Sequence, residues 1–282
     1  MMNPVSIIAV CGKNRVAVSA LSYTLHALSA WGLDIPVVAC PTRGDTGKDS
    51  WQPSLVRAAA LTGVETTSIQ ELEGYPGLLL ISFQFDQIIK TVRFVSKRLY
   101  NMHFSKLPKY RGVFTSIWPI LNGEVEVGVT LHEMCDKVDA GPIISQRAFP
   151  LAAYVTAREL YELYTDEALL LFHDTLSSLI GGDYRSVEQN SGDATCYNRA
   201  SLKFDSLEID LSQDAVQISR FVRGFYFPGY QIPQLRGRGV RACHVIECQS
   251  SLLPGTMVHQ TPISSSFATA DGRVVELVWE SA

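Results

Sequence analysis

Val5-Ser6-Ile7-Ile8-Ala9-Val10-Cys11-Gly12-Lys13-Asn14 is a continuous apolar run that ends in a short polar turn. The next residues, Val16 to about Ala30, have the apolar periodicity of a helix. Two more short apolar runs, Ile35–Cys40 and Leu78–Phe83, lie on either side of a helical stretch at Ser54–Gly63. Short apolar strands that alternate with helices predict an α/β fold, a Rossmann-like and mostly parallel sheet with helices on both faces.

The second half of the chain continues this pattern and then changes it. Further strands are predicted at about Leu99–His103, at Val129–Met134 and at Ile143–Phe149. A long helix is predicted from Thr156 to about Ile180, because a Thr followed three residues later by Glu is a capping box. The last segment, 239–282, has short alternating runs separated by turns, and this predicts a small β-rich C-terminal appendage.

Composition limits the class of protein. The chain has 282 residues, 46% of them hydrophobic and 18% charged, with a net charge of −4 and a pI near 5.9. This balance is typical of a globular protein with a large core and argues against a polyphosphate surface such as tRNA as the main partner. The six cysteines include no C-x-x-C pair, so free thiols in a reducing cytoplasm are expected. No apolar run approaches the length of a membrane span, so a cytoplasmic protein without a membrane partner is predicted.

The stretch Asn101–Gly112 carries the clearest chemical signal. Asn101 and His103 are two residues apart at the predicted end of a strand, so both side chains are expected on the same face. Ligands of parallel sheets lie outside the carboxyl ends of the strands. Asp139 follows in a tight turn and could orient the histidine. Alternatively, Asn101 caps a turn and His103 is a half-buried structural residue.

The order of the surrounding motifs favours a catalytic role for Asn101 and His103 over a structural one. Asn101–Gly112, Ile117–Glu124, Gly128–His132 and Val138–Ile144 together resemble the core of the formyltransferases that use N10-formyltetrahydrofolate. In that family the matching Asn, His and Asp are catalytic, so the resemblance implies these roles for Asn101, His103 and Asp139.

The three residue types suit formyl transfer to an amine. The reaction passes through a tetrahedral intermediate, in which a proton must be lost and an oxyanion develops. His103 is expected to act as the general base and Asn101 as the oxyanion donor, while Asp139 orients His103. No metal is expected. His132, in a predicted strand, is expected to be structural.

The resemblance also implies a folate site. The family's folate pocket is largely backbone, and the segment Ser82–Ile89 is expected to hold the pteridine, although its aromatic side chains could equally be core. The expected cofactor-binding residues are Phe83, Gln84, Phe85, Asp86, Ile88 and Asp136. The turn after the first strand, Cys11–Arg15, departs from the Gly-Thr-Pro-like turn more usual in the family, and its role in cofactor binding stays open.

Other segments resemble sugar N-formyltransferases that act on nucleotide-linked amino sugars, namely Pro41–Leu55, Ile117–Leu121 and Tyr197–Arg199. Arginines pair with phosphates and aromatic rings stack on bases, so the helix that ends near Arg223 and the aromatic cluster after it could bind a nucleotide diphosphate, by resemblance dTDP. The alternative is a helix surface beside a core cluster. The expected substrate-binding residues are Trp51, Lys106, Tyr110, Arg111, Tyr197, Arg199, Arg220, Arg223, Tyr226 and Tyr230.

These expectations divide the chain into three segments. Residues 1–185 form the formyltransferase catalytic domain, 186–238 a linker and nucleotide-sugar-binding segment, and 239–282 the β-rich region. The expected reactants are N10-formyltetrahydrofolate and a dTDP-linked amino-dideoxyhexose, the expected product enters O-antigen or other surface glycans, and a homodimer is expected. A methionyl-tRNA formyltransferase is the alternative enzyme, but residues 239–282 hold two arginines against four acidic residues. A non-catalytic folate- or nucleotide-binding module on the same fold is the third alternative.

Overall fold

A computed structural model describes residues 4–280 of the chain. Residues 1–3 of the predicted segment 1–185 and residues 281–282 of the predicted segment 239–282 lie outside the described residues. The described chain divides into two compact units. One unit comprises the chain up to Gly112 together with residues 128–149 and 163–196, and the other comprises residues 113–127, 150–162 and the chain from Tyr197 onward. The division into three segments stays a prediction.

The first unit is built on a seven-stranded sheet, in the order β3-β2-β1-β4-β5-β7-β8. The five strands from β3 to β5 in that order are mutually parallel, and β7 is antiparallel to β5. This confirms the predicted Rossmann-like, mostly parallel sheet. The first nine strands of the chain are β1 (Ile7–Gly12), β2 (Val37–Pro41), β3 (Glu65–Thr66), β4 (Leu78–Phe83), β5 (Arg98–His103), β6 (Arg111–Gly112), β7 (Glu126–Glu133), β8 (Ile143–Pro150) and β9 (Cys196–Tyr197).

Burial explains why the central strands are apolar throughout. All six residues of β4 are buried, because helices cover the sheet on both faces. One side of the sheet contributes Ala9, Cys11, Leu78 and Leu80 to a core cluster that also includes residues from the chain between the strands.

The five α-helices of residues 4–280 include two that carry the cap signals predicted from the sequence. The five helices are α1 (Asn14–Trp31), α2 (Leu55–Thr62), α3 (Trp118–Asn122), α4 (Ala157–Gly181) and α5 (Ala215–Phe225). The Ser54 hydroxyl accepts the Arg57 N–H, and Gly63 ends α2 in the left-handed conformation. At the start of α4 the Glu159 carboxylate accepts the Thr156 N–H at 2.8 Å, as the capping box predicts. The five-residue α3 was not predicted, because it is too short to show a helical period.

The second unit contains the C-terminal antiparallel sheet, with strand order β10-β11-β14-β13-β12. Its strands are β10 (Gln234–Leu235), β11 (Arg238–Ile246), β12 (Met257–Gln260), β13 (Ser264–Ala268) and β14 (Val274–Trp279). Helix α5 packs its apolar side, including Ile218 and Val222, into a core shared with Val240 and Leu277. The predicted β-rich region is therefore confirmed as a sheet covered by a helix.

Candidate active site

The site begins at the carboxyl end of β5, where two polar side chains interrupt an otherwise buried strand. Asn101 lies in register with Ser82 of β4 on one side and with His132 of β7 on the other. His103 lies opposite Thr130 of β7. This is the edge of the sheet at which the topology of a parallel α/β fold places ligands.

Asp139 brings these two side chains together. Its Oδ1 accepts a hydrogen bond from the Asn101 amide nitrogen at 3.1 Å, and its Oδ2 lies 3.5 Å from Nδ1 of His103. The Gly112 N–H donates to the same Oδ2 at 2.8 Å. One carboxylate therefore contacts both members of the Asn-x-His pair, so they point to the same face, as their spacing predicts.

Backbone contacts fix which nitrogen of His103 can take up a proton. Its Nε2 lies 2.8 Å from the carbonyl oxygen of Tyr110, and because a carbonyl only accepts, Nε2 must carry the hydrogen. In the neutral ring the lone pair is then on Nδ1, which faces Asp139. His103 is 7% exposed, so this geometry is held within the protein.

The structure adds His132 to the site, which the sequence analysis expected to be structural. Its Nδ1 donates to the Glu133 carbonyl at 2.7 Å, so in the neutral ring its Nε2 is an acceptor and takes the second hydrogen of the Asn101 amide at 3.1 Å. Asn101 thus donates to both Asp139 and His132. The spacing of residues does not show this role, because the role depends on the pairing of β7 with β5.

Asp139 is a charged group in a buried position. Burial alone raises the pKa of its carboxyl, but the positive charge that His103 can carry, the contact with His132 at 3.6 Å and the Gly112 N–H outweigh this and hold the pKa well below its usual range. Asp139 is therefore ionised at neutral pH and stabilises a proton on His103. Its φ of 50° is a left-handed conformation that is uncommon outside glycine.

The predicted folate segment follows the end of β4. Phe83 is fully buried and its ring meets Phe172 at 5.1 Å, while Phe85 packs against the core cluster of the sheet. Gln84 has a φ of 55°. Asp86 and Ile88 line a cavity of about 400 Å³. The Asp136 carboxylate accepts the Thr91 hydroxyl at 2.7 Å. Four residues of the segment, Asp86 to Ile89, thus line this cavity, and folate binding there stays a prediction.

The expected substrate residues of the first unit occupy different environments. Trp51 is 37% exposed in the loop after β2, and Lys106 is exposed. Tyr110 is buried and contributes its carbonyl to His103. Arg111 donates twice to the side-chain oxygen of Gln189, through Nε at 3.1 Å and Nη2 at 2.7 Å. Gln189 was not predicted to belong to the site.

In the second unit, Tyr197 stacks on Trp118 with ring centroids 4.0 Å apart, and Arg199 is exposed in a short 3₁₀ turn. Arg220 lines a cavity of about 250 Å³ together with Phe221 and Gln217.

The remaining residues of the expected nucleotide site lie at and after the end of α5. Arg223 donates to the Val155 carbonyl at 3.0 Å, and burial, with Arg220 nearby, lowers its pKa. The Tyr226 hydroxyl donates to Glu280 at 2.9 Å, and Tyr230 is 63% exposed. Binding of a nucleotide by these residues stays a prediction.

Residues 4–280 contain no group of three or more His, Cys, Asp or Glu side chains arranged to hold a metal ion. Within the same range, no helix combines the length and apolar character needed to cross a bilayer.

Comparison with known proteins identifies the class. Residues 62–176 match the protein family described as formyl transferase. The crystal structure of WlaRD, described as a sugar 3N-formyl transferase in the presence of dTDP and 5-N-formyl-THF, is 30% identical with a TM-score of 0.89, over 99% of each chain. An N-formyltransferase from Helicobacter canadensis, in complex with folinic acid and dTDP-3-aminofucose, is 31% identical with a TM-score of 0.88, over 98% of this chain and 100% of that one.

A sugar N-formyltransferase from a Shewanella species shares the fold at 18% identity, with a TM-score of 0.64 over 79% of this chain and 89% of that one. The fold, the Asn–His–Asp cluster and these matches define a group-transfer enzyme. The chain belongs to the formyltransferase family, as its motifs predicted, and is a formyltransferase.

Proposed function

We propose that this enzyme is a sugar N-formyltransferase that moves a formyl group from N10-formyltetrahydrofolate to the amine of a dTDP-linked amino-dideoxyhexose. The observation that carries the proposal is the Asp139 carboxylate, which contacts both Asn101 and His103 at the carboxyl end of β5. The likeness to two enzymes described with a 3N activity or a 3-amino sugar, over nearly the whole of each chain, supports a sugar acceptor and favours an amine at C3 over C4.

The folate supplies the activated formyl group, and the neutral sugar amine attacks its carbon. The new C–N bond forms, the bond from the formyl carbon to N10 breaks, and one proton leaves the amine while another goes to N10. His103 takes the amine proton on Nδ1, because its Nε2 hydrogen is held by the Tyr110 carbonyl. The imidazolium is then paired with Asp139 at 3.5 Å. A positioned base of this kind contributes about 10²–10⁴ in rate.

Asn101 stabilises the negative charge that develops on the formyl oxygen. Both of its amide hydrogens are already donated, one to the Asp139 carboxylate and one to neutral His132. The hydrogen bond to a neutral acceptor is the weaker of the two, so the oxyanion takes over the hydrogen now given to His132. A single preorganised donor contributes about 3–4 kcal/mol to the transition state.

We assign the nucleotide to the second unit, where arginine and aromatic side chains occur together. Arg220 and Arg223 lie on consecutive turns of α5, and Tyr226 and Tyr230 follow it. The formyl donor is assigned to the loop after β4. A homodimer in the cytoplasm that supplies formamido sugars to O-antigen or other surface glycans completes the proposal.

The test is a tetrahydrofolate-release assay with a panel of dTDP-linked 3-amino and 4-amino sugars, with methionyl-tRNA as a further acceptor. Release with a 3-amino sugar and no release with methionyl-tRNA is expected. Turnover only with methionyl-tRNA would assign the chain to tRNA formylation. Binding of folate or dTDP-sugar without turnover would indicate a non-catalytic module.

A further inference from the structure

Gln189 lies at the junction between the catalytic carboxylate and the loop that carries Arg111. Its side-chain nitrogen donates to two backbone carbonyls, those of Asp139 at 2.9 Å and Gly141 at 2.7 Å. Its side-chain oxygen accepts both hydrogen bonds from the Arg111 guanidinium. All four hydrogen-bonding positions of the amide are therefore used, which leaves it a single orientation.

The backbone on either side of Gln189 is also fixed to the site. Two residues earlier, Val187 and Ile143 exchange N–H···O hydrogen bonds of 2.8 Å in both directions. Six residues later, the Thr195 carbonyl accepts the Arg111 N–H at 2.9 Å. The backbone of the segment that carries Gln189 is thus anchored on both sides by contacts to Ile143 and Arg111.

Asp139 needs such support, because its backbone has a φ of 50° and its carboxylate must meet Asn101, His103 and the Gly112 N–H together. Non-glycine residues in this conformation persist where surrounding contacts hold them. The Gln189 side chain supplies such a contact, because its amide nitrogen donates to the Asp139 carbonyl at 2.9 Å.

We propose that Gln189 is a positioning residue for catalysis, which holds the Asp139 turn so that the carboxylate faces Nδ1 of His103. The proposal rests on the formyl-transfer function proposed above. The titratable side chains around Asp139 are His103 from β5 and His132 from β7, with Arg111 of β6 beyond Gln189. A displaced carboxylate leaves the protonated His103 without its partner.

Two variants separate the donor and acceptor functions of the amide. Gln189→Met has a similar length and no hydrogen bonds, while Gln189→Glu keeps an acceptor for Arg111 and loses both donors. Because the donors hold the turn, both variants should lower kcat by about 30- to 100-fold, since misplacement by about 1 Å costs up to about 10²-fold. In Gln189→Glu, which keeps the acceptor for Arg111, the KM for each substrate should change by less than about threefold. The exposed neighbour Glu188 provides the matched control, Glu188→Gln, which should keep parental kcat.

Two readouts separate positioning from a general structural effect. In Gln189→Met the acidic limb of the kcat–pH profile should move to lower pH, because the imidazolium has lost its negative partner. Hydrogen exchange of peptides covering residues 137–142 should be faster than in the parent and in Glu188→Gln, with other regions unchanged.

A kcat within threefold of the parent in both variants would overturn the proposal, as would a fall in kcat with an unmoved acidic limb and unchanged exchange. If Gln189→Met does not fold, Gln189→Glu gives the same kinetic and exchange comparison. A parent protein that transfers no formyl group would overturn the proposed function instead, while the exchange comparison would still test whether Gln189 holds the turn.

Discussion

His103 is the residue whose role is most sharply defined by its contacts, since only Nδ1 has a free lone pair in the neutral ring. His103→Ala should lower kcat by at least about two orders of magnitude, because it removes proton transfer. Circular dichroism should show an intact fold. Activity within tenfold of the parent would show that another group is the base. His132 is the neighbouring histidine in the site, so His132→Gln would then be the next variant to measure.

Asn101 and Asp139 contact each other, yet they should fail in different ways. Asn101→Ala should depress kcat strongly and leave the affinity for a non-reactive folate analogue, measured by calorimetry, nearly unchanged, because Asn101 is proposed to act on charge that develops in the transition state. Asp139→Asn should move the acidic limb of the kcat–pH profile to lower pH, because a proton on His103 loses its ion-pair partner. Equal shifts in the two variants, or loss of analogue binding in Asn101→Ala, would contradict this division of roles.

At the residue scale, the sequence predicted those site residues whose positions follow from the local pattern of a single strand or turn. Asn101 and His103 were placed on one face because strand alternation is local. Asp139 was predicted as a carboxylate in a tight turn that could orient the histidine, and the resemblance implied its catalytic role. His132 and Gln189 were missed, because their positions depend on the register between β5 and β7 and on backbone contacts of a polar segment, and neither leaves a periodic signal.

At the scale of elements, the sequence predicted the strands and helices that have a clear run or periodicity of apolar residues bounded by cap or turn residues. Leu78–Phe83 is a strand with the predicted bounds, and the Ser54 and Gly63 signals delimit α2. Elements too short to show a period, such as α3 and β10, were not predicted. Their residues adopt structure through tertiary contacts rather than through local propensity.

The loop before α2 is organised by one carboxylate. Asp45 accepts the Ser54 hydroxyl and the N–H groups of Gly47, Leu55 and Val56. Burial raises its pKa, but these hydrogen bonds outweigh burial and lower it. A carboxyl whose pKa is lowered on folding stabilises the folded state at pH values above its unfolded pKa of about 3.9. This stabilisation disappears as pH falls through the pKa of the folded state.

Asp45→Asn should therefore lower the free energy of unfolding by about 1–2 kcal/mol at pH 7, as measured by urea denaturation. The difference from the parent should shrink at pH 3, where the parent's carboxylate is increasingly protonated. Exposed Asp34 supplies a matched control, Asp34→Asn, which should be near neutral at both pH values. A difference that does not change with pH would mean that the charge of Asp45 is not the source of its effect.

Helix α5 offers a test of the nucleotide assignment. Arg223→Ala should raise the KM for the nucleotide sugar more than the KM for the folate, because its guanidinium is proposed to pair with the diphosphate. The Val155 carbonyl already takes one of its hydrogen bonds, so some loss of stability is expected as well. Equal changes in both KM values would favour a purely structural role for Arg223.

At the scale of the whole molecule, ionisable groups limit the pH range in which the fold is stable. Burial raises the pKa of Asp271, but hydrogen bonds from Thr269, Arg273 and the Ala215 N–H outweigh it and lower the pKa to about 2. The pKa of Asp139 is lowered as well. Burial raises the pKa of Cys243 to about 12, and burial with the contact to Glu280 raises that of Tyr226 to about 12.

The signs of these shifts fix the expected stability curve. The carboxyl groups whose pKa is lowered on folding favour the folded state above about pH 4. Their contribution is lost as pH falls towards their pKa values in the folded state. The thiol and the phenol, whose pKa values are raised on folding, favour the folded state below their unfolded pKa values of about 8.5 and 10. Their contribution is lost as pH rises towards 12. Thermal unfolding should therefore show a plateau in Tm between about pH 5 and pH 8, with a fall on both sides.

The contribution of the Cys243 thiol to the alkaline decline can be measured with Cys243→Ala. The variant should lower Tm slightly at pH 7, because a buried sulfur is removed from the core under α5, and it should flatten the decline of Tm between pH 8.5 and pH 10, because the thiol can no longer ionise on unfolding. Exposed Cys248 gives the matched control, Cys248→Ala, which should leave the curve as it is in the parent. If both variants follow the parent curve above pH 8.5, the buried thiol is not what destabilises the fold in alkali.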